Sequence, residues 1–297
     1  MDSGSADFWI GGEGCKGDNG GDCVRMIPSR FIRSRFVLTF CTTQGSHNYL
    51  GSQTSSTFKD SGKTWQIQYG SGQLQGNTVS DNVNIAGLAL NNLAFGTALV
   101  ESSDFTGADF DGLLGLAKSS LSNQGVLTPV ESLAQQGLIS APITSYKISR
   151  LSDGLNDGEI TFGGLDSSKF DSGTLVTFNN VNTDGFWEGA LTVSVNGDDL
   201  GLNGRTGILD TGTTLIYAPA ADAQALHAKI PGSKDDGQNG YTIPCTTTAV
   251  VSLTFGGKTF DINPLDLLVS PVDQNNLQGD CYSGIISGTT GGANEWL

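Results

Sequence analysis

Gly207-Ile208-Leu209-Asp210-Thr211-Gly212-Thr213-Thr214-Leu215-Ile216-Tyr217-Ala218-Pro219 is the stretch on which the reading of this chain turns. Ile208 and Leu209 have the apolar character of a buried strand that delivers an acidic turn. In the turn, a threonine hydroxyl can hydrogen-bond locally, and Gly212 lets another backbone or a ligand come close. Alone, Asp-Thr-Gly is an ordinary turn sequence. A second copy stands at the other end of the chain, however, as Asp2-Ser3-Gly4-Ser5. Two such turns, one in each half, predict two related lobes that face each other.

Around these turns, short alternating segments recur between Gly, Asn and Asp. Thr64–Gly70, Thr78–Ile85, Ile143–Ser149, Gly158–Gly164, Gly189–Val195 and Val250–Ile262 all read as strands. Two stretches read as helices, Val130–Leu138 after Pro129 and Ala221–Ile230 before Pro231 and Gly232. With 42 glycines and only 15% charged residues in 297, the composition suits a β-rich protein with many tight turns, long enough for two domains. Acids outnumber bases 30 to 15, for a formal charge of -15, so nucleic acid and anionic membranes are excluded as partners. No apolar run is long enough to span a bilayer. The opening Met1–Trp9 has none of the architecture of a signal peptide.

Five cysteines are present, Cys15, Cys23, Cys41, Cys245 and Cys281. In an oxidising compartment four of them form two bridges and one is left over. There is no CxxC pair, and His47 and His227 lie far apart in sequence, so no metal and no cofactor is expected. Gly70–Gly76 comes near a dinucleotide fingerprint, but its last glycine is one position late and a strand-like run follows, so that reading is discarded.

If the two acidic turns meet, their like charges cannot both ionise cheaply, and the pair holds one proton. One carboxylate then serves as base on a bound water while its protonated partner polarises a carbonyl. Such a pair can hydrolyse a peptide bond without metal, serine or cysteine. Four further blocks bear on this chemistry: Ile67-Gln68-Tyr69-Gly70-Ser71-Gly72, Phe110–Ala117 (FDGLLGLA), Gly158–Phe170 (GEITFGGLDSSKF) and Gly185–Val195 (GFWEGALTVSV). With the two turns they resemble the pepsin-like aspartic proteases, in particular the secreted fungal ones, in the family's order over nearly the whole chain.

The resemblance implies a mainly β, bilobal pepsin-like fold: two pseudo-twofold-related β lobes, a central cleft and a few short helices. It implies an N-terminal lobe over 1–172 and a C-terminal lobe over 173–297. Asp2 and Asp210 match the catalytic pair, and Ser5 and Thr213 the outer hydroxyls that hold the carboxylates in plane. Gly4 and Gly212 match positions whose backbone accompanies the bound peptide. Tyr69, Gly70, Ser71 and Gly72 match the tip of a flap over the substrate, Trp9 the indole that steadies its tyrosine, and Leu113, Leu114 and Gly115 the support of the first loop. Ser3 stands where Thr is commoner. The implied activity is endopeptidase cleavage in acid, on proteins or peptides bound as an extended strand with apolar residues around the scissile bond. A catalytically inactive, inhibitor-like binding protein of the same fold is the alternative, and retention of both turns and Tyr69 speaks against it. The family implies a monomer, secreted or vacuolar, with signal peptide and propeptide outside this chain.

The family pattern also has a strand before the first aspartate and closing strands after the last block. Here Met1 alone precedes Asp2 and the sequence stops at Leu297, so the chain is expected to be a protease truncated at both ends. A third departure is Val24–Gln44 (VRMIPSRFIRSRFVLTFCTTQ), which has four of the six arginines, no acid and no family counterpart. Without it the Asp2-to-Tyr69 spacing becomes that of the family, Cys15 and Cys23 form a short-loop pair, Cys245 and Cys281 a second, and the odd Cys41 leaves. Codons for Val24-Arg25 can begin as a splice donor, and Gln44 can be CAG, an acceptor. The segment is therefore read as a retained intron rather than a basic surface loop or a membrane-binding helix, and it is assigned no site.

Overall fold

The computed structural model describes residues 1–23, 47–289 and 292–297. The segment 24–44, with Cys41, lies outside the described residues. Contacts divide the chain into two compact units, Met1–Ile143 and Thr144–Leu297. The division falls earlier than the residue-172 boundary drawn from the sequence, because 144–172 is tied into the second unit. The Arg150 guanidinium, in the loop of that segment, donates to both carboxylate oxygens of Asp266, at 2.9 and 3.3 Å.

The first unit is built on one sheet of β1 (Phe8–Gly17), β2 (Lys59–Gln68), β3 (Gln73–Ile85), β4 (Leu88–Glu101) and β5 (Gly112–Leu114). Their order is β2-β3-β4-β1-β5, with β1 parallel to β4 and antiparallel to β5. Trp9, Trp65, Ile67, Leu74, Ala98 and Phe105 form a buried cluster on it. Short helix α1 (Ser103–Thr106) follows β4 and carries Phe105 into that cluster. Helix α2 (Pro129–Gln135) starts where the sequence places it. Thr128 caps it, accepting from the Glu131 amide, while the Glu131 side chain accepts from the Thr128 amide, and Pro129 fills a first-turn position that needs no N–H donor.

In the second unit, β6 (Thr144–Lys147) and β7 (Glu159–Phe162) form a hairpin. The main sheet uses β8 (Glu188–Val195), β9 (Asp198–Asp199), β10 (Arg205–Ile208), β14 (Val251–Phe255), β15 (Lys258–Ile262) and β19 (Glu295–Trp296), ordered β15-β14-β8-β10-β19 with β9 on β8. A smaller sheet, β12-β13-β17-β16, combines Lys234–Asp235, Tyr241–Pro244, Asp280–Ser283 and Leu268–Pro271. β11 (Ile216–Ala218) runs parallel to β18 (Ile285–Ser287), beside helix α3 (Ala220–His227). Leu191, Val193 and Val195 alternate inward along β8 and meet Val251, Phe255, Leu226, Ile243 and Trp296 in the core. The architecture is mainly β with few helices, as the sequence predicts, and Cys15–Cys23 and Cys245–Cys281 are the disulfides. Among the described residues no helix is long and apolar enough to cross a membrane.

One buried ion pair locks the last strand of this unit to its helix. Asp222 of α3 is 0% exposed and accepts from Arg205 Nε at 2.6 Å and Nη2 at 2.9 Å. It also accepts from the Trp296 indole at 3.0 Å, while Arg205 Nη1 donates to Asn294 Oδ1 at 2.9 Å. A bidentate guanidinium and an indole N–H thus satisfy a charge that would otherwise be costly to bury.

Candidate active site

Asp2 sits in a tight, mostly buried loop. Its Oδ1 accepts the Gly4 amide at 2.9 Å, and its Oδ2 accepts the Ser5 hydroxyl. Its backbone is zipped to the Leu113-Leu114-Gly115 block: the Asp2 amide donates to Leu114 O at 3.0 Å and the Leu116 amide to Asp2 O at 2.8 Å. The Ala117 amide bonds Ser5 O at 2.8 Å, and the Gly115 amide bonds Asp7 O at 3.1 Å. Gly115 has to be glycine here, because a Cβ would lie 2.5 Å from the Ala6 carbonyl carbon and the Asp7 nitrogen. Gly115→Ala is therefore expected to force the loop away from its support, lowering stability by about 1–3 kcal/mol. Denaturant unfolding would measure that loss.

Asp210, in the second unit, repeats the wiring. Its Oδ1 accepts the Gly212 amide at 2.7 Å, and its Oδ2 accepts the Thr213 hydroxyl at 2.5 Å. Strand β10 delivers it and ends at the buried Ile208, whereas Leu209 lies beyond the strand and is exposed, its amide donating to Trp187 O at 2.8 Å. Each loop thus fixes its carboxylate with one backbone amide and one hydroxyl, from the same two positions of Asp-x-Gly-Ser/Thr.

The β2–β3 hairpin carries Tyr69, Gly70, Ser71 and Gly72 at its tip, where the Tyr69 amide donates to Gly72 O at 3.0 Å. Gly72 turns the chain at φ +81°, a conformation that side chains disfavour. Gly70 and Ser71 are exposed, whereas the Tyr69 ring packs edge-on against Phe105 at 5.5 Å. The Trp9 indole donates to the Tyr69 hydroxyl at 2.9 Å, and its ring meets Phe105 at 5.4 Å. Burial pushes the Tyr69 phenol well above its ordinary value. The charges of Asp2 and Asp7 push the same way, and hydrogen bonds with Trp9 and Ser5 only partly offset them. Tyr69 therefore keeps its proton across the whole working range and remains a donor.

Sequence reasoning passed over several residues around this loop. Phe105 is the hub of the aromatic cluster, also meeting Phe110 at 6.4 Å. Asp111 accepts the Asn48 amide and side chain at 2.9 and 2.7 Å, with His47 Nδ1 at 3.6 Å. Glu101 is buried beside the Cys15–Cys23 bridge, whose sulfurs are already bonded to each other. Burial raises the Glu101 carboxyl above the ordinary range, with His47 opposing. The unfolded chain thus releases this proton at lower pH than the folded protein does. The contribution of Glu101 is complete below the ordinary glutamate value, about 4.3, and is lost as pH rises through its folded value. Through this group Tm is expected to fall as pH rises past the ordinary glutamate range, and Glu101→Gln to remove part of that fall. Thermal unfolding across pH checks this.

These geometries accord with the comparisons. The family model described as eukaryotic aspartyl protease matches residues 1–296. The probable aspartic-type endopeptidase CTSD of Arthroderma benhamiae is 37% identical over 261 residues, covering 86% of this chain and 50% of its own length. Rhizopuspepsin-1 of Rhizopus niveus is 38% identical over 266 residues, covering 85% of this chain and 64% of its own. Aspartic-type endopeptidase ctsD of Aspergillus fumigatus is 36% identical over 262 residues, with 86% and 54% covered. The chain spans about half the length of the first of these relatives. With its two matching Asp-x-Gly-Ser/Thr loops, its tyrosine-tipped hairpin and a family match running almost from end to end, the chain belongs to the eukaryotic aspartyl protease family.

Proposed function

We propose that the chain carries the machinery of an aspartic-type endopeptidase that hydrolyses peptide bonds in acid. The observation that supports this best is the duplicated wiring of Asp2 and Asp210, in which an amide and a hydroxyl hold each carboxylate in a fixed plane. In this reading the two carboxylates act as one pair that shares a single proton and activates a water. The ionised member takes a proton from the water as its oxygen attacks the scissile carbonyl, and the protonated member donates to the carbonyl oxygen. The resulting diol collapses as the amide nitrogen takes up a proton and leaves as an amine. The substrate lies extended beneath the Tyr69 hairpin, paired through its backbone, with apolar side chains on either side of the cut. The enzyme works as a monomer, outside the cell or in a vacuole, where its two disulfides persist.

Incubating the purified protein with an unfolded protein substrate at acid and neutral pH tests this. Cleavage in acid should be blocked by a statine-type mimic of the diol and insensitive to chelators and to serine or cysteine reagents. Acid cleavage abolished by a chelator, or no cleavage at any pH, would overturn the reading.

A further inference from the structure

Asp7 is a carboxylate that this mechanism leaves unused, and it is 0% exposed. Its Oδ1 accepts from the Ser122 hydroxyl at 2.7 Å and the Gln124 amide at 3.2 Å. Its Oδ2 accepts from the Asn123 amide and the Asn123 side chain, both at 2.9 Å. All four partners are donors, so the group is used purely as an acceptor. All four come from one turn, Ser122–Gln124. The Gln124 side chain returns a bond to Phe8 O at 2.9 Å, so the turn is gripped from both sides.

That turn ends the same strip of chain that backs the first acidic loop. The near end of the strip, 114–117, is zipped by backbone bonds to Asp2, Ser5 and Asp7. Its far end, 122–124, is held by the Asp7 carboxylate. The Asp2 loop therefore rests on a support pinned at two places, one of them a single buried side chain. At the same offset from Asp210 the second loop has Leu215, so this grip belongs to one loop only. The charge of Asp7 also reaches the hairpin tip, since it adds to that of Asp2 in keeping the Tyr69 phenol protonated.

We propose that Asp7 is a positioning residue for peptide hydrolysis, holding the Ser122–Gln124 turn so that the loop beneath Asp2 keeps the plane in which its carboxylate reacts. This rests on the reading of Asp2 as a member of the catalytic pair. A support of this kind should govern turnover more than substrate binding, because misplacing a reacting group by about 1 Å costs up to roughly a hundred-fold in rate.

The test compares the wild type with Asp7→Asn, Ser122→Ala and Asn123→Ala, assayed on one peptide substrate far below each variant's melting temperature. Asp7→Asn removes the charge and turns an NH2 toward donors. Each alanine variant deletes one donor and leaves Asp7 in place. We expect kcat to drop about ten-fold or more for Asp7→Asn and about three-fold for each alanine variant, with KM within about two-fold of wild type. Lower melting temperatures with unchanged kcat would show Asp7 to be merely structural and would overturn the inference. If Asp7→Asn does not fold, the two alanine variants decide the matter by the same criterion. Cleavage by the wild type with full-rate variants sinks this inference alone, whereas a wild type that cleaves nothing sinks the protease reading and this inference with it.

Discussion

Asp210→Asn and Asp2→Asn should each reduce peptide cleavage by roughly 10²–10⁴-fold in kcat, the range lost when a positioned acid or base is removed. The two loops hold their carboxylates through the same pair of contacts, so neither aspartate is a spare for the other. In the proposed cycle one carboxylate must be charged while its partner holds the proton, and an amide can do neither. The double variant should therefore be no worse than either single one, because the first substitution already removes the unit that acts. Folding should change little for Asp210→Asn, whose carboxylate is only half-buried. A steady-state assay on all three variants, with unfolding curves as the control, checks this. Independent, multiplying losses would mean that the two groups do not share one step.

The largest effect on stability is expected at Asp222. Asp222→Ala leaves the Arg205 guanidinium facing a cavity where it had two charge-assisted bonds, and the Trp296 indole loses its acceptor. Removing one partner of a buried pair typically costs about 3–5 kcal/mol, since the other charge stays behind unpaired. Replacing both members, Asp222→Leu with Arg205→Met, should recover much of that loss, because no charge is then left in the core. Urea unfolding of the single and double variants measures the difference. A loss below about 1 kcal/mol in the single variant would mean that water reaches the pair freely.

Much of this fold could be read from local pattern. The alternation in Gly189–Val195 and Val250–Ile262 shows directly in the inward Leu191, Val193, Val195 and Val251 of the second core. Thr128 and Pro129 mark the start of α2 because capping depends on neighbours in sequence. Strand β1 is the opposite case: FWIGGEGCKG has little strand propensity of its own, and its pairing with β4 on one side and β5 on the other makes it a strand. The contact-unit division at 143/144 differs from the residue-172 boundary for a similar reason, since the bond from Arg150 to Asp266 joins residues that no local pattern connects.

The site divides in the same way. Asp2 with Ser5 and Asp210 with Thr213 are legible as pairs because each lies within one short motif, whereas Trp9 and Tyr69, which the structure joins by a hydrogen bond, are singled out by the family resemblance alone. Asp7 stands just past the Asp2-Ser3-Gly4-Ser5 turn yet carries no signal in the sequence, because its donors lie at 122–124. Asp222 carries no signal in the sequence, because its partners Arg205 and Trp296 lie 17 and 74 residues away.

The central claim is that two aspartates work as one proton-sharing pair, and the pH dependence of kcat/KM on a single peptide, followed from strong acid to neutrality, tests it most directly. A proton-sharing pair gives a bell with both limbs in the acid range, whose two apparent pKa values belong to the pair and whose activity is gone by neutral pH. A rate that climbs through neutral pH, as it would with a histidine base or a metal-bound water, would contradict it.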